Sequence, residues 1–214
     1  MADFELSEDY QDLSNTVRQF ADEVVAPVSA KHDEEHSFPY EIVSQMADMG
    51  LFGLPFPEEF GGMGGDYFAL ALALEQLGRV DQSVAITLEA GVSLGAMPIH
   101  RFGNAAQKEE WLPLLASGKA LAGFGLTEPE AGSDAGSLRT RAEPDGDGWT
   151  ITGAKQWITN GRYSGTFLLF ARTDQSTSES CFWTSITISL LSGENLLALE
   201  SKLTSTCSTR RRSA

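Results

Sequence analysis

Apolar residues recur along the first stretch of the chain in steps of three or four: Leu6, Tyr10, Leu13, Val17, Phe20, Val24 and Val28. Side chains so spaced fall on one stripe of an α-helix about 33 Å long. Ser7 is placed to cap it, Glu8 and Asp9 suit the positive end of its dipole, and Pro27 predicts a kink near its end. The same period predicts a short helix over Tyr40–Met49, introduced by Phe38-Pro39 and stopped by Gly50. Gly61-Gly62-Met63-Gly64-Gly65 predicts a flexible loop. Asp66 then caps a helix through Leu77, ended by Gly78, and Asp81 caps another to about Ala96, before Pro98. Asn104 and Gln107 match a capping box, starting a helix that Gly118 ends.

The pattern then changes. Ala120–Leu126, Leu138–Ala142, Trp149–Asn160 and Thr166–Arg172 favour strands, with Asp145-Gly146-Asp147-Gly148 as a turn between two of them. The expected fold class is α+β: an all-α domain over 1–120, then a partial β-barrel or sandwich-like domain over 121–174. Residues 175–214 change composition again. Sixteen of these 40 are Ser or Thr, none is Pro or Asp, and the end carries Arg210-Arg211-Arg212. A disordered tail fits the Ser/Thr content, but Cys181–Leu191 is too apolar and β-prone for simple disorder.

With 214 residues and 42% apolar content, the chain is long enough for one large core or two small ones. A net charge of −15 argues against a nucleic-acid partner. It leaves room for a small anionic ligand, because backbone N–H groups bind phosphate on acidic proteins. No stretch approaches the roughly 20 apolar residues of a membrane helix, and Met1–Glu8 does not look like a signal peptide, so a cytoplasmic location is expected. Two cysteines, Cys181 and Cys207, form neither a disulfide framework nor a metal cluster. His32 and His36 are spaced to share a helical face, but they lie among Asp33, Glu34 and Glu35, which reads as a solvated acidic surface.

Two segments hold the candidate chemistry. In Leu126-Thr127-Glu128-Pro129-Glu130-Ala131-Gly132-Ser133-Asp134 a strand ends, proline fixes a turn, and small residues let backbone approach a ligand. N–H groups at Gly132 and Ser133 suit a pyrophosphate; an ordinary strand connection is the plainer alternative. In Gly153-Ala154-Lys155-Gln156-Trp157-Ile158-Thr159-Asn160-Gly161, strand alternation would put Trp157 and Thr159 on one face. An indole there suits a planar cofactor, or simply a β core.

Together, Phe124–Asp134 and Gly153–Gly161 closely resemble the paired signatures of the acyl-CoA dehydrogenases. Thr140-Arg141-Ala142, Ser93–Ile99 and Gly103–Lys108 add to the resemblance, which covers roughly residues 5–174. It implies a helical N-terminal domain, a middle β domain and FAD as cofactor. Phe124, Leu126 and Thr127 would line the flavin, with Thr127 at the pyrimidine edge. Gly132 and Ser133 would hold the pyrophosphate, and Ser133 would also touch the acyl-CoA. Trp157, Ile158 and Thr159 would pack near the reactive ring nitrogen. Ala90 and Leu94 would border the acyl pocket. The implied reaction is α,β-dehydrogenation of an acyl thioester, with an electron-transfer flavoprotein as acceptor and a homo-oligomer for a complete chain.

The family's carboxylate base lies in a C-terminal helical domain. That domain is expected to be absent here, so no catalytic residue is assigned, and neither Glu128 nor Glu130 is taken as a substitute. A truncated or frame-shifted segment after Asp174 is the expectation, with a natural variable tail as the alternative. An inactive flavin- or subunit-binding fragment, and a flavin-dependent oxidase or monooxygenase relative, stand as rival functions.

Overall fold

The computed structural model describes residues 5–145, 148–173, 180–183, 196–203 and 208–209. Seven α-helical segments come first: α1 (Glu8–Phe20), α2 (Ala26–Glu35), α3 (Tyr40–Asp48), α4 (Tyr67–Gly78), α5 (Gln82–Glu89), α6 (Met97–Phe102) and α7 (Ala105–Ala116). Their apolar stripes meet in one core built around Val17, Met46, Leu77, Leu88 and Leu112, with Phe52 added from the 3-10 turn Leu51–Gly53. Each such side chain contributes about 1.5–3 kcal/mol of burial. No helix among the described residues is long and apolar enough to cross a membrane.

The expected caps are in place. Ser7 accepts from the Tyr10 N–H, Asp66 from Ala69 and Asp81 from Ser83 and Val84. Asn104 and Gln107 form a reciprocal capping box. Asp81 also accepts from the Ser29 hydroxyl at 2.5 Å, tying α2 to α5. Asp81→Ala is expected to cost about 1–2 kcal/mol. A urea unfolding midpoint that does not move would contradict this.

The helical runs continue past Pro27 and Pro98. α1 continues through a π-helical turn, Ala21–Val25, into α2, which carries Pro27 in its first turn. α5 continues through a longer π-helical stretch, Ala90–Ala96, into α6, which carries Pro98 in the same place. The N–H of Ala26 bonds the Ala21 carbonyl, and that of Met97 the Val92 carbonyl, each five residues back. The wider turn opens the backbone ahead of each proline ring, where a regular turn would clash.

The glycine run 61–65 is likewise tied down rather than free. Backbone N–H groups of Gly62, Met63, Gly64 and Gly65 bond carbonyls of Pro57, Gly53, Phe56 and Leu54. A side chain at Gly62 would meet the Phe56 carbonyl at 2.1 Å.

The β part is a mixed sheet of β1 (Leu121–Gly125), β2 (Arg141–Asp145), β3 (Gly148–Gln156), β4 (Ser164–Arg172), β5 (Ser180–Trp183), β6 (Leu196–Leu203) and β7 (Ser208–Thr209). The order is β6-β3-β2-β4-β5-β7, with β1 parallel to β4. β2 and β3 pair up to Asp145↔Gly148, which fits the turn expected there, although residues 146 and 147 themselves lie outside the described residues. The strand expected over Leu138–Ala142 starts at Arg141; the N–H groups of Arg139 and Thr140 go to the Glu128 carboxylate instead of a strand partner. Of the segment 175–214, β5, β6 and β7 are described and their backbones join the sheet. Most of Cys181–Leu191, both alternatives for its surroundings, and Arg210–Arg212 lie outside the described residues.

Candidate functional site

The site begins where β1 ends. Phe124 is half-buried, with its ring edge-on to Phe170 at 5.1 Å, and Leu126 and Thr127 follow at the strand end. The Thr127 carbonyl accepts from the Gln156 N–H at 2.9 Å, which brings this end beside the end of β3. Glu128 and Ala131 exchange backbone hydrogen bonds around exposed Pro129 and Glu130. Gly132 and Ser133 then lie exposed. A side chain at Gly132 would meet only the Thr127 methyl, at 4.0 Å, so the space above this turn is open. The N–H groups of Gly132 and Ser133 and the Ser133 hydroxyl point to no partner among the described residues.

Trp157 departs from the sequence expectation. β3 ends at Gln156, and Trp157 has φ of 59°, so it does not continue the strand alternation with Thr159. A left-handed backbone is costly for a bulky residue and turns the chain sharply. Here it leaves the indole 66% exposed, with Ile158 and Thr159 half-buried behind it. Asn160, also left-handed at φ 62°, starts the turn that the sequence placed there. Its buried amide donates to the carbonyls of Thr87 (3.1 Å) and Ala122 (3.4 Å), joining this segment to α5 and β1.

Between the two segments lies a pair that the sequence reading missed. Lys155 is fully buried and its ammonium donates to Glu128 at 2.7 Å and to the Leu126 carbonyl at 3.0 Å. Glu128 also accepts from the N–H groups of Arg139 (2.5 Å) and Thr140 (2.9 Å). Burial pushes the Glu128 carboxyl up, but the hydrogen bonds from Lys155, Thr140 and Arg139 outweigh it and hold the group below its usual range. Burial holds Lys155 below its usual range, against the pull of Glu128. Alternation carried a signal for this: Lys155 shares the inward face of β3 with buried Ile151.

The other loop carboxylates are engaged as well. Glu130 pairs with Arg139, and Asp134 accepts from the Ser137 hydroxyl. Ala90 is buried in the π-helical stretch and Leu94 is exposed. A cavity of about 680 Å³ opens beside β2, lined by Arg139, Arg141, Glu143, Arg172 and neighbours, with none of the expected contact residues in it. His32 bonds Ser37, and His36 sits past the end of α2 with φ of 51°, so the two do not share a helical face. No cluster of three or more metal-ligating side chains occurs among the described residues.

Residues 7–119 match the family model "Acyl-CoA dehydrogenase, N-terminal domain", and residues 123–192 match "Acyl-CoA dehydrogenase, middle domain". The chain is 44% identical over 173 residues to the probable acyl-CoA dehydrogenase YngJ of Bacillus subtilis, covering 81% of this chain and 46% of that protein. Among solved structures it resembles the butyryl-CoA dehydrogenase of Megasphaera elsdenii, with a TM-score of 0.83 and 37% identity over 87% of this chain and 50% of the other. It also resembles an acyl-CoA dehydrogenase of Bacillus anthracis complexed with FAD, with a TM-score of 0.85 and 30% identity over 95% of this chain and 38% of the other. The chain spans about half the length of the curated relatives it matches or less.

Proposed function

The chain belongs to the acyl-CoA dehydrogenase family, and on that premise we propose that its 121–174 segment, braced by the helical 1–120 segment, forms the flavin- and thioester-facing part of an FAD-dependent acyl-CoA dehydrogenase. The observation that carries this reading is the exposed Trp157 indole, held out by a left-handed backbone beside a loop with unused donors. Soluble folds rarely spend such strain without a ligand to meet it.

In this reading Thr127 presents its hydroxyl to the pyrimidine edge, with Phe124 and Leu126 lining the ring. The N–H groups of Gly132 and Ser133 hold the pyrophosphate, and Ser133 also contacts the acyl-CoA. Trp157 covers the ring face, and Ile158 and Thr159 bring backbone donors to where negative charge collects. FAD, when bound, supplies the acceptor for the hydride leaving Cβ of the thioester. Leu94 and Ala90 border the acyl chain, an electron-transfer flavoprotein takes the electrons, and the complete protein is a homo-oligomer. Proton abstraction at Cα falls to no carboxylate of the loop, since Glu128, Glu130 and Asp134 all have partners. In this reading the loop residues bind and orient, and the proton is taken by another group.

Fluorescence titration with FAD is the test. The chain is expected to bind FAD, and Trp157→Ala to weaken binding about tenfold, as loss of an aromatic contact predicts. Adding butyryl-CoA is expected to leave the flavin oxidised. A chain with no FAD affinity would sink the proposal, and bleaching by the thioester would overturn the assignment of no base.

A further inference from the structure

We propose that the buried Glu128–Lys155 pair is a positioning device that fixes the spacing between Thr127, the Gly132–Ser133 turn and Trp157. Its consequence for the cofactor rests on the flavin reading above; its geometry does not.

Lys155 stands on β3, two residues before Trp157. Its ammonium takes hold of the opposite segment on both sides of Thr127, at the Leu126 carbonyl and the Glu128 carboxylate. Glu128 in turn closes the loop that carries Gly132 and Ser133, accepting from Arg139 and Thr140 at its far end. Three contact segments, scattered in sequence, thus meet at two side chains. Neither touches water appreciably: side-chain exposure is 0% for Lys155 and 5% for Glu128.

A buried ion pair is a weak source of net stability, because desolvation consumes much of the attraction. Packing alone would be served as well by an apolar residue at the inward position Lys155 shares with Ile151. What an apolar pair does not supply is direction. Four hydrogen bonds of fixed geometry set where the loop backbone lies, and a tenth of a nanometre of slack there would misplace the donors facing a ligand.

The test uses the full chain carrying Glu128→Gln together with Lys155→Met. Both charges go, so no ion is stranded in the interior, yet the amide that replaces the carboxylate offers one acceptor oxygen where two N–H groups wait. Amide hydrogen exchange is expected to speed up about tenfold or more at Arg139 or Thr140, with Leu168 in β4 unchanged. FAD dissociation constants are expected to rise by about the same factor, with an altered visible circular dichroism of bound flavin. Unchanged loop exchange with unchanged affinity would overturn the proposal. The wild-type chain supplies a check that needs no variant. Its Arg139 and Thr140 amides are expected to exchange as slowly as Leu168, and exchange at the rate of the exposed Gly132 amide would overturn the proposal. Wild-type chain that shows the slow amides but binds no FAD would refute the flavin reading and leave the anchoring role intact.

Discussion

Lys155→Met is expected to lower the unfolding free energy by about 3–5 kcal/mol, the cost of stranding a buried charge. Methionine has nearly the length of lysine and fills the same space, so packing changes little. What changes is Glu128, which keeps the N–H groups of Arg139 and Thr140 but loses its only counter-ion among the described residues. Adding Glu128→Gln is expected to recover most of the loss, since the interior then holds no unpaired charge. Urea unfolding of the two single variants, the double variant and the wild type measures both steps. A Lys155→Met midpoint equal to wild type would mean that water reaches the pair and that its burial is not real.

Acid should report on the same pair. The folded chain holds the Glu128 carboxyl below its usual range, so the folded state binds that proton less readily than the unfolded state. Its stabilisation is complete above the unfolded value of about 4.3 and is lost as the pH falls from there through the folded value. The wild type is expected to lose stability more steeply than the double variant across that window.

The parts of this molecule that local chemistry specifies were legible in its sequence. Ser7, Asp66, Asp81 and Asn104 cap their helices because a short oxygen-bearing side chain at a helix start needs only the next three residues to act. The paired family signatures were legible because both are short runs. The rest depends on distance or on backbone geometry. Lys155 and Glu128 lie 27 residues apart, and β1 runs parallel to β4 across more than 40 residues of chain, so neither pairing has a local signal. The π-helical turns ahead of Pro27 and Pro98 reverse the usual meaning of a proline, and nothing in residue type announces them. Trp157 belongs to both groups: its identity pointed to a ligand surface, but alternation assumed a strand that its φ of 59° ends.

The contact between the helical part and the sheet is the second place where a small change should act strongly. The π-helical stretch Ala90–Ala96 lies on β1, and Gly95 faces Ala122 so closely that an added methyl would sit 2.2 Å from the Ala122 methyl and 3.3 Å from its Cα. Side chains essentially never approach so near, and the obstacle is the Ala122 methyl itself, which has no rotamer to swing it aside. Gly95→Val is therefore expected to cost about 3 kcal/mol, the upper part of the overpacking range. Glycine's weak helix propensity returns less than about 1 kcal/mol of this on substitution. The strain falls on Ala122, whose carbonyl also receives the Asn160 amide, and on β1, which ends at Gly125, two residues before Thr127. Weaker FAD binding should accompany the lost stability. A partner change separates this contact from a general loss of helix packing: Gly95→Ala with Ala122→Gly removes the methyl that the new one would strike. That double variant is expected to be more stable in urea than Gly95→Ala alone, and to bind FAD more tightly than it. If Ala122→Gly instead adds its own cost with no recovery, the helix and the strand are not in the contact described, and the two parts of the chain meet some other way.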